Sequence, residues 1–153
     1  MFQMMNEARI GTGLQGVGSG SIAYLHALQY AKERIQGTAI ADFGNDAAPK
    51  VAIIEHPDVR RMLLWMKSNV EGMRALIYFA SFAIDKEMTV EDDAEKEKWH
   101  GLLEVLTPII KAYCSDVGFK VTELAIQVYG GYGYCADYPM EQFMRDVKIA
   151  SLY

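Results

Sequence analysis

The sequence predicts an all-α protein, an up-down four-helix bundle forming one domain over residues 1–153. Three observations carry that expectation. Apolar residues recur every three or four positions along most of the chain, the period of a helix with one buried face. The pattern breaks where residues that start or stop helices stand, notably Pro57, Gly130 and Pro139. No stretch reads as a strand.

Residues 1–35 read as the first helix. Met5, Ile10, Leu14, Val17, Ile22, Leu25, Leu28 and Ala31 keep the helical period, and Lys32, Glu33 and Arg34 bring charge into the last turn. Gly11, Gly13, Gly16, Gly18 and Gly20 sit in its middle. Each costs about 1 kcal/mol against alanine inside a helix, so a neighbouring helix or a ligand must approach the backbone closely enough to offset it. Gly11-Thr12-Gly13-Leu14-Gln15-Gly16 also matches the glycine pattern that binds dinucleotide phosphates. That pattern has meaning only after a strand and at the opening of a helix. Met4 to Ile10 already carries helical spacing, which favours helix packing.

Gly37 to Glu55 is a connector rich in Gly, Ala, Asp and Asn, with Pro49 inside it. Links between bundle helices usually run to roughly 2–8 residues, so this one is expected either to be mobile or to cover something. Val51-Ala52-Ile53-Ile54 is placed to pack back onto the bundle.

Pro57 suits the first position of a second helix, with Asp58 in its first turn. Val59, Met62, Leu63, Met66, Val70, Met73, Ile77, Ala80 and Ile84 draw one apolar stripe toward Lys86, with Arg60, Lys67, Glu71 and Arg74 largely off it. Thr89 is expected to cap a third helix, with Asp92 three residues on in a near capping box. The acidic run from Asp85 to Glu97 then reads as a solvated corner. The third helix should extend from about Val90 to Tyr129, and Pro108 should kink or divide it. Gly130 and Gly131 end it, and a fourth helix follows over roughly 139–152 with Glu141 in its first turn.

Composition narrows the classes of function. A formal charge of −5 argues against non-specific nucleic-acid binding. No apolar run approaches the roughly 20 residues of a membrane-spanning helix, and the amino terminus does not read as a secretory signal. Cys114 and Cys135 are too few for a disulfide scaffold and form no Cys-x-x-Cys pair. A cytoplasmic protein with reduced thiols is the expectation.

Few residues suggest chemistry by themselves. Glu97 and His100 have the Glu-x-x-His spacing of helical di-metal sites. His26 and His56 follow Ala23 and Ile53 at the same offset, so the second motif is missing and no metal site is expected. Cys114 lies on an apolar face and reads as core. Cys135 has no histidine beside it, so a nucleophile is not expected there. No serine elbow or phosphate loop is present.

The run Gln127-Val128-Tyr129-Gly130-Gly131-Tyr132-Gly133-Tyr134, followed by Tyr138-Pro139, Glu141, Met144-Arg145-Asp146 and Lys148-Ile149, resembles the carboxyl-terminal domain of acyl-CoA dehydrogenases. The resemblance covers nearly the whole chain. Met5-Asn6-Glu7-Ala8-Arg9 is similar to the start of that domain's first helix, and Ala31-Lys32-Glu33-Arg34 to its end. The 37–55 insertion and Ile54-Glu55-His56-Pro57-Asp58-Val59-Arg60-Arg61 look more like the branch containing methylthiopropanoyl-CoA dehydrogenases.

The resemblance implies a flavoenzyme of fatty acid metabolism, with FAD as cofactor, an acyl-CoA substrate, an electron-transfer acceptor, and a homo-dimer or tetramer as its assembly. A carboxylate base takes the α proton while the β hydrogen leaves as hydride to the flavin. Arg34 matches an arginine that contacts the FAD diphosphate across a subunit interface, and its planar, permanently charged fork suits phosphate oxygens. A helix-end cation complementing the dipole is the plainer account of it, and the two roles are compatible. Gln127 and Gly131 match residues that approach the partner's FAD, although a helix cap alone would account for Gly131. Asn6 and Arg9 match positions that meet the CoA moiety, and Tyr153 matches the tyrosine that precedes the catalytic glutamate.

That glutamate is expected immediately after Tyr153, which leaves no catalytic base among these residues. Some branches place the base directly before the arginine matched by Arg9. Ala8 stands there, and Glu7 lies on another face. The expectation is therefore a fragment of a longer enzyme, inactive alone and lacking an amino-terminal helical domain and a middle β domain. The alternative is a stand-alone helical oligomerisation module of the same fold.

Overall fold

In the computed structural model, residues 2–45 and 47–152 are described, with only the backbone described for residues 2–4. Four helices dominate: α1 (Phe2–Glu33), α2 (Pro57–Thr89), α3 (Asp93–Tyr129) and α4 (Met140–Leu152). Their directions follow from their contacts. Gly16 of α1 meets Cys114 of α3, and Gly20 meets Val121, so α1 and α3 run parallel. Ser21 bonds Arg74 of α2, while the earlier α2 residues Leu63 and Leu64 share a groove with the later α1 residues Tyr24 and Leu28. His26 meets Phe143 and Tyr30 meets Tyr138, so the chain of α4 also descends along α1. The result is the expected up-down-up-down bundle, with α2 and α4 each packed on both α1 and α3. No described helix is long and apolar enough to cross a membrane.

The glycines of α1 explain why α1 and α3 lie so close. A Cβ on Gly16 would overlap the Cys114 carbonyl, and one on Gly118 would sit 2.6 Å from the Gly16 carbonyl oxygen. Two backbones therefore touch where side chains would normally separate them. This reverses one expectation about the buried face. Val17, Ala23, Ala27 and Ala31 are buried, while Leu14, Ile22 and Leu25 face outward. Small residues win the interior because α3 approaches closely enough to desolvate them and to gain dispersion contacts along both backbones.

The connector corrects the expectation that nothing is strand. Ile35–Thr38 (β1) and Lys50–Ala52 (β2) pair antiparallel, Ile35 opposite Ala52 and Thr38 opposite Lys50, with an irregular register between. Such short strands carry no readable alternation, and their pairing depends on contacts from far along the chain. The Ile53 amide donates to the Arg34 carbonyl at 2.8 Å, and Ile53 is buried. The return through Val51–Ile54 onto the bundle is thus as expected.

The helices differ from expectation in three places. Helix α1 stops at Glu33, so Arg34 lies just beyond it, its amide still bonded to the Tyr30 carbonyl at 2.8 Å. Thr89 does not cap α3: it ends α2 and its hydroxyl donates to the Asp85 carbonyl. Asp92 is the cap, its carboxylate accepting from the Glu95 amide at 2.9 Å. Pro108 does not divide α3, which is continuous past it. Thr107 and Ile110 are buried beside the exposed proline and hold the helix to the core on both sides.

Methionine is prominent in that core. Met66, Met73 and Met140 are fully buried alongside Ile110, Val121 and Val147. The α2 stripe is buried from Met62 to Ala80 as its spacing predicts, while Val59 and Ile84 at its ends are half-buried and Ala83 is buried in place of Ile84.

Candidate functional site

Because α1 and α3 are parallel, their carboxyl-terminal ends emerge side by side, which brings Arg34 and Gln127 to one cleft. Its volume is about 370 Å³, and Tyr30, Arg34, Gln36, His56, Gln127 and Gly130 are among its walls. Tyr30 and Tyr129 stack at 4.0 Å between ring centroids, and Tyr138 meets both edge-on. Burial raises the hydroxyl pKa of Tyr30 and of Tyr129, so these rings are neutral hydrogen-bonding groups. His56 closes the far side, its Nε2 sitting 2.7 Å from the Gln36 carbonyl oxygen. That nitrogen must carry the proton to donate there.

Arg34 is the notable group. Its guanidinium carbon lies 5.3 Å from the centroid of the Tyr132 ring. Its Nε is buried and has no hydrogen-bond partner among the described residues. A buried donor of a charged group left unpaired is costly. An oxygen acceptor arriving from outside the chain would satisfy it, and a diphosphate supplies such oxygens. The residues present therefore fit the diphosphate of a nucleotide cofactor.

The glycine turn divides its roles in an unexpected way. Gly130, not Gly131, caps α3: its φ is +62°, and its amide donates to the Gln127 carbonyl. A side chain there would be strained. Gly131 has no such φ, and a Cβ on it would meet nothing within 4 Å. The helix cap therefore does not account for Gly131, and nothing within the described chain requires a glycine there. Gln127 is exposed and also borders a second cleft of about 700 Å³ with Glu123, Tyr134, Glu141 and Arg145.

Asn6 and Arg9 lie at the opposite end of α1, about 40 Å away at 1.5 Å rise per residue. The Arg9 guanidinium donates to Asn6 Oδ1 at 3.3 Å. They nevertheless border different clefts. Arg9 joins Met5, Ala8, Thr12, Pro108 and Lys111, whereas Asn6 joins Glu7, Glu87, His100 and Glu104. Tyr153 lies outside the described residues. His100 sits with Nδ1 2.7 Å from Glu87, and that hydrogen bond and charge raise its pKa. Among the described residues no three His, Cys, Asp or Glu side chains converge as metal ligands. Cys114 is buried, which pushes its thiol up to about 11, while Cys135 is exposed.

Sequence reasoning missed the tyrosines and His56. Tyr30 stands one helical turn before Arg34, and Tyr129 and Tyr132 flank the glycines. That spacing could have flagged an aromatic surround for the arginine.

Comparison with known proteins identifies the family. The family model described as the acyl-CoA dehydrogenase C-terminal domain matches residues 1–153. A butyryl-CoA dehydrogenase of Syntrophomonas wolfei is 42% identical over all of this chain and 25% of its own length. A 3-methylmercaptopropionyl-CoA dehydrogenase of Ruegeria pomeroyi is 39% identical over the same shares. The solved butyryl-CoA dehydrogenase of Megasphaera elsdenii superposes with a TM-score of 0.73 at 30% identity, over 99% of this chain and 33% of that one. The chain thus spans about a quarter of the length of the curated relatives it matches.

Proposed function

Since the chain belongs to the acyl-CoA dehydrogenase family, as its C-terminal domain, we propose that it completes the FAD and substrate sites of an enzyme that introduces a double bond between the α and β carbons of an acyl-CoA. The observation that carries this reading is Arg34: a permanent cation with an unpaired buried donor, beside Gln127, on a cleft at the parallel ends of two helices.

The chemistry that bound FAD would supply is acceptance of the β hydrogen as hydride; the chain's own residues bind and orient. Arg34 holds diphosphate oxygens through its fork, which also neutralises their charge. Gln127 supplies an amide donor and acceptor beside it, and the bare backbone at Gly131 leaves room for a flat group to approach. Asn6 and Arg9 take the CoA end of the substrate, with Arg9 oriented by its bond to Asn6. Tyr153 is proposed to border the acyl site, and the base is proposed to come from protein beyond these residues. The roughly 40 Å between the two sets favours their serving sites in different subunits of a homo-dimer or tetramer. A cytoplasmic enzyme passing electrons to an electron-transferring flavoprotein is the fuller reading.

The test is made in the full-length protein carrying this domain. It should purify with FAD and reduce an artificial acceptor when given acyl-CoA. Arg34→Gln should weaken FAD retention by roughly 10- to 100-fold, the scale of a hydrogen bond to a charged group, with unchanged helical content. Wild-type protein without flavin or turnover would refute the activity. Unchanged retention in the variant would refute the role of Arg34. The 153-residue chain alone is expected to show no turnover.

A further inference from the structure

The glycine turn does more than end α3. After Gly130 the chain makes a short 3-10 turn through Tyr134, closed by the Cys135 amide donating to the Tyr132 carbonyl at 3.2 Å. The turn is pressed onto the end of α3. A Cβ on Gly133 would sit 2.8 Å from the Ile126 carbonyl oxygen and 2.9 Å from Tyr129 Cβ. That contact sets where the preceding ring goes. Tyr132 ends up with its ring centroid 5.4 Å from that of Tyr138 and 5.3 Å from the Arg34 guanidinium carbon. Tyr134, two residues on, is 83% exposed and borders the other cleft.

Arg34 needs such a support. It lies one residue past the end of α1, and an arginine side chain has several rotatable bonds whose freedom must be lost to fix it. Tyr30, Gln36, His56, Gln127 and Tyr129 share its cleft. No carboxylate is paired with it in an ion bridge among the described residues. An aromatic face attracts a guanidinium through the ring quadrupole. It occupies the flat face and leaves the N–H edges free for an acceptor, which a carboxylate partner would not do.

We infer that Tyr132 is a positioning residue: its ring, fixed by Gly133 and Tyr138, holds the Arg34 guanidinium with its donor edge open to the phosphate groups of the cofactor. This rests on the reading of Arg34 as a diphosphate ligand, and the test separates the two.

The probes are inorganic pyrophosphate, titrated into the 153-residue chain, and the Arg34 Nε–H resonance followed by NMR. In wild type that resonance should show a ring-current shift and should respond saturably to pyrophosphate. Tyr132→Leu should abolish the ring-current shift and weaken pyrophosphate binding about 2- to 30-fold, the span of cation–π contacts from exposed to desolvated. Tyr132→Phe should retain both. The ring is 45% exposed, so Tyr132→Leu should keep the wild-type circular dichroism and melting curve. If wild type does not respond, or Arg34→Gln responds as wild type does, the diphosphate reading falls and this inference with it. If Arg34→Gln abolishes binding while Tyr132→Leu leaves affinity and the Arg34 resonance unchanged, the diphosphate reading stands and the role of Tyr132 is overturned. Loss in Tyr132→Phe equal to that in Tyr132→Leu would also overturn it, because the ring survives that change.

Discussion

His100 shows how a single side chain acquires a pH dependence from its neighbours. Glu87 of α2 accepts its hydrogen bond, Glu104 lies 3.7 Å away on α3, and both charges raise its pKa, with Glu97 contributing. A histidine whose folded pKa is raised stabilises the fold fully below its ordinary pKa, near 6.5, and loses that contribution as pH rises through the higher folded value. The side chain is 58% exposed, so screening keeps the pair within about 1 kcal/mol. Wild type should therefore melt above Glu87→Gln at about pH 5.5, and the gap should close by about pH 8.5. A gap that widens with pH in calorimetric scans would refute the pairing. The sequence showed Glu97 and His100 at a metal-ligand spacing, but the partner that matters, Glu87, comes from another helix and was not legible by spacing.

Among the elements, α1 and α3 depend on each other most. Their contact needs the bare backbone at Gly16, whereas Gly18 lies on the outer face of the same helix with nothing within 4 Å of a Cβ. The two glycines should therefore respond to alanine with opposite signs. Gly16→Ala should destabilise by about 1–3 kcal/mol, the range for overpacking a close contact. Gly18→Ala should stabilise by up to about 1 kcal/mol through helix propensity. Urea unfolding of both variants checks this, and equal effects would contradict the packing. The requirement for close approach was readable from five glycines in one helix. Which of them face α3 was not, because the larger Leu14, Ile22 and Leu25 offer an equally good helical stripe.

At the scale of the whole molecule, apolar surface remains uncovered. Leu14, Ile22 and Leu25 on α1 and Tyr78, Phe79 and Phe82 on α2 are all more than 40% exposed, and Phe43 at the hairpin loop is 90% exposed. Faces of this kind are usually covered by other protein. Sedimentation velocity on the chain should find dimers or larger species, and Leu14→Glu with Leu25→Glu should shift them toward monomer without loss of helicity. Monomer at every concentration would oppose this. The sequence by itself determined the four helices, the apolar face of α2 and the family, because periodicity, prolines and the Tyr129-to-Tyr134 run are local signals that survive without neighbours. Tertiary structure alone decided the β1–β2 pairing, the burial of the small face of α1 and the reassignment of the α3 cap to Gly130. It also decided the meeting of Arg34 with Tyr132, a contact between residues far apart in the chain. The strand pairing, the burial of the small face and the Arg34–Tyr132 contact depend on which distant segments meet, which no local pattern encodes, whereas the Gly130 cap depends on a backbone φ that the two adjacent glycines left open.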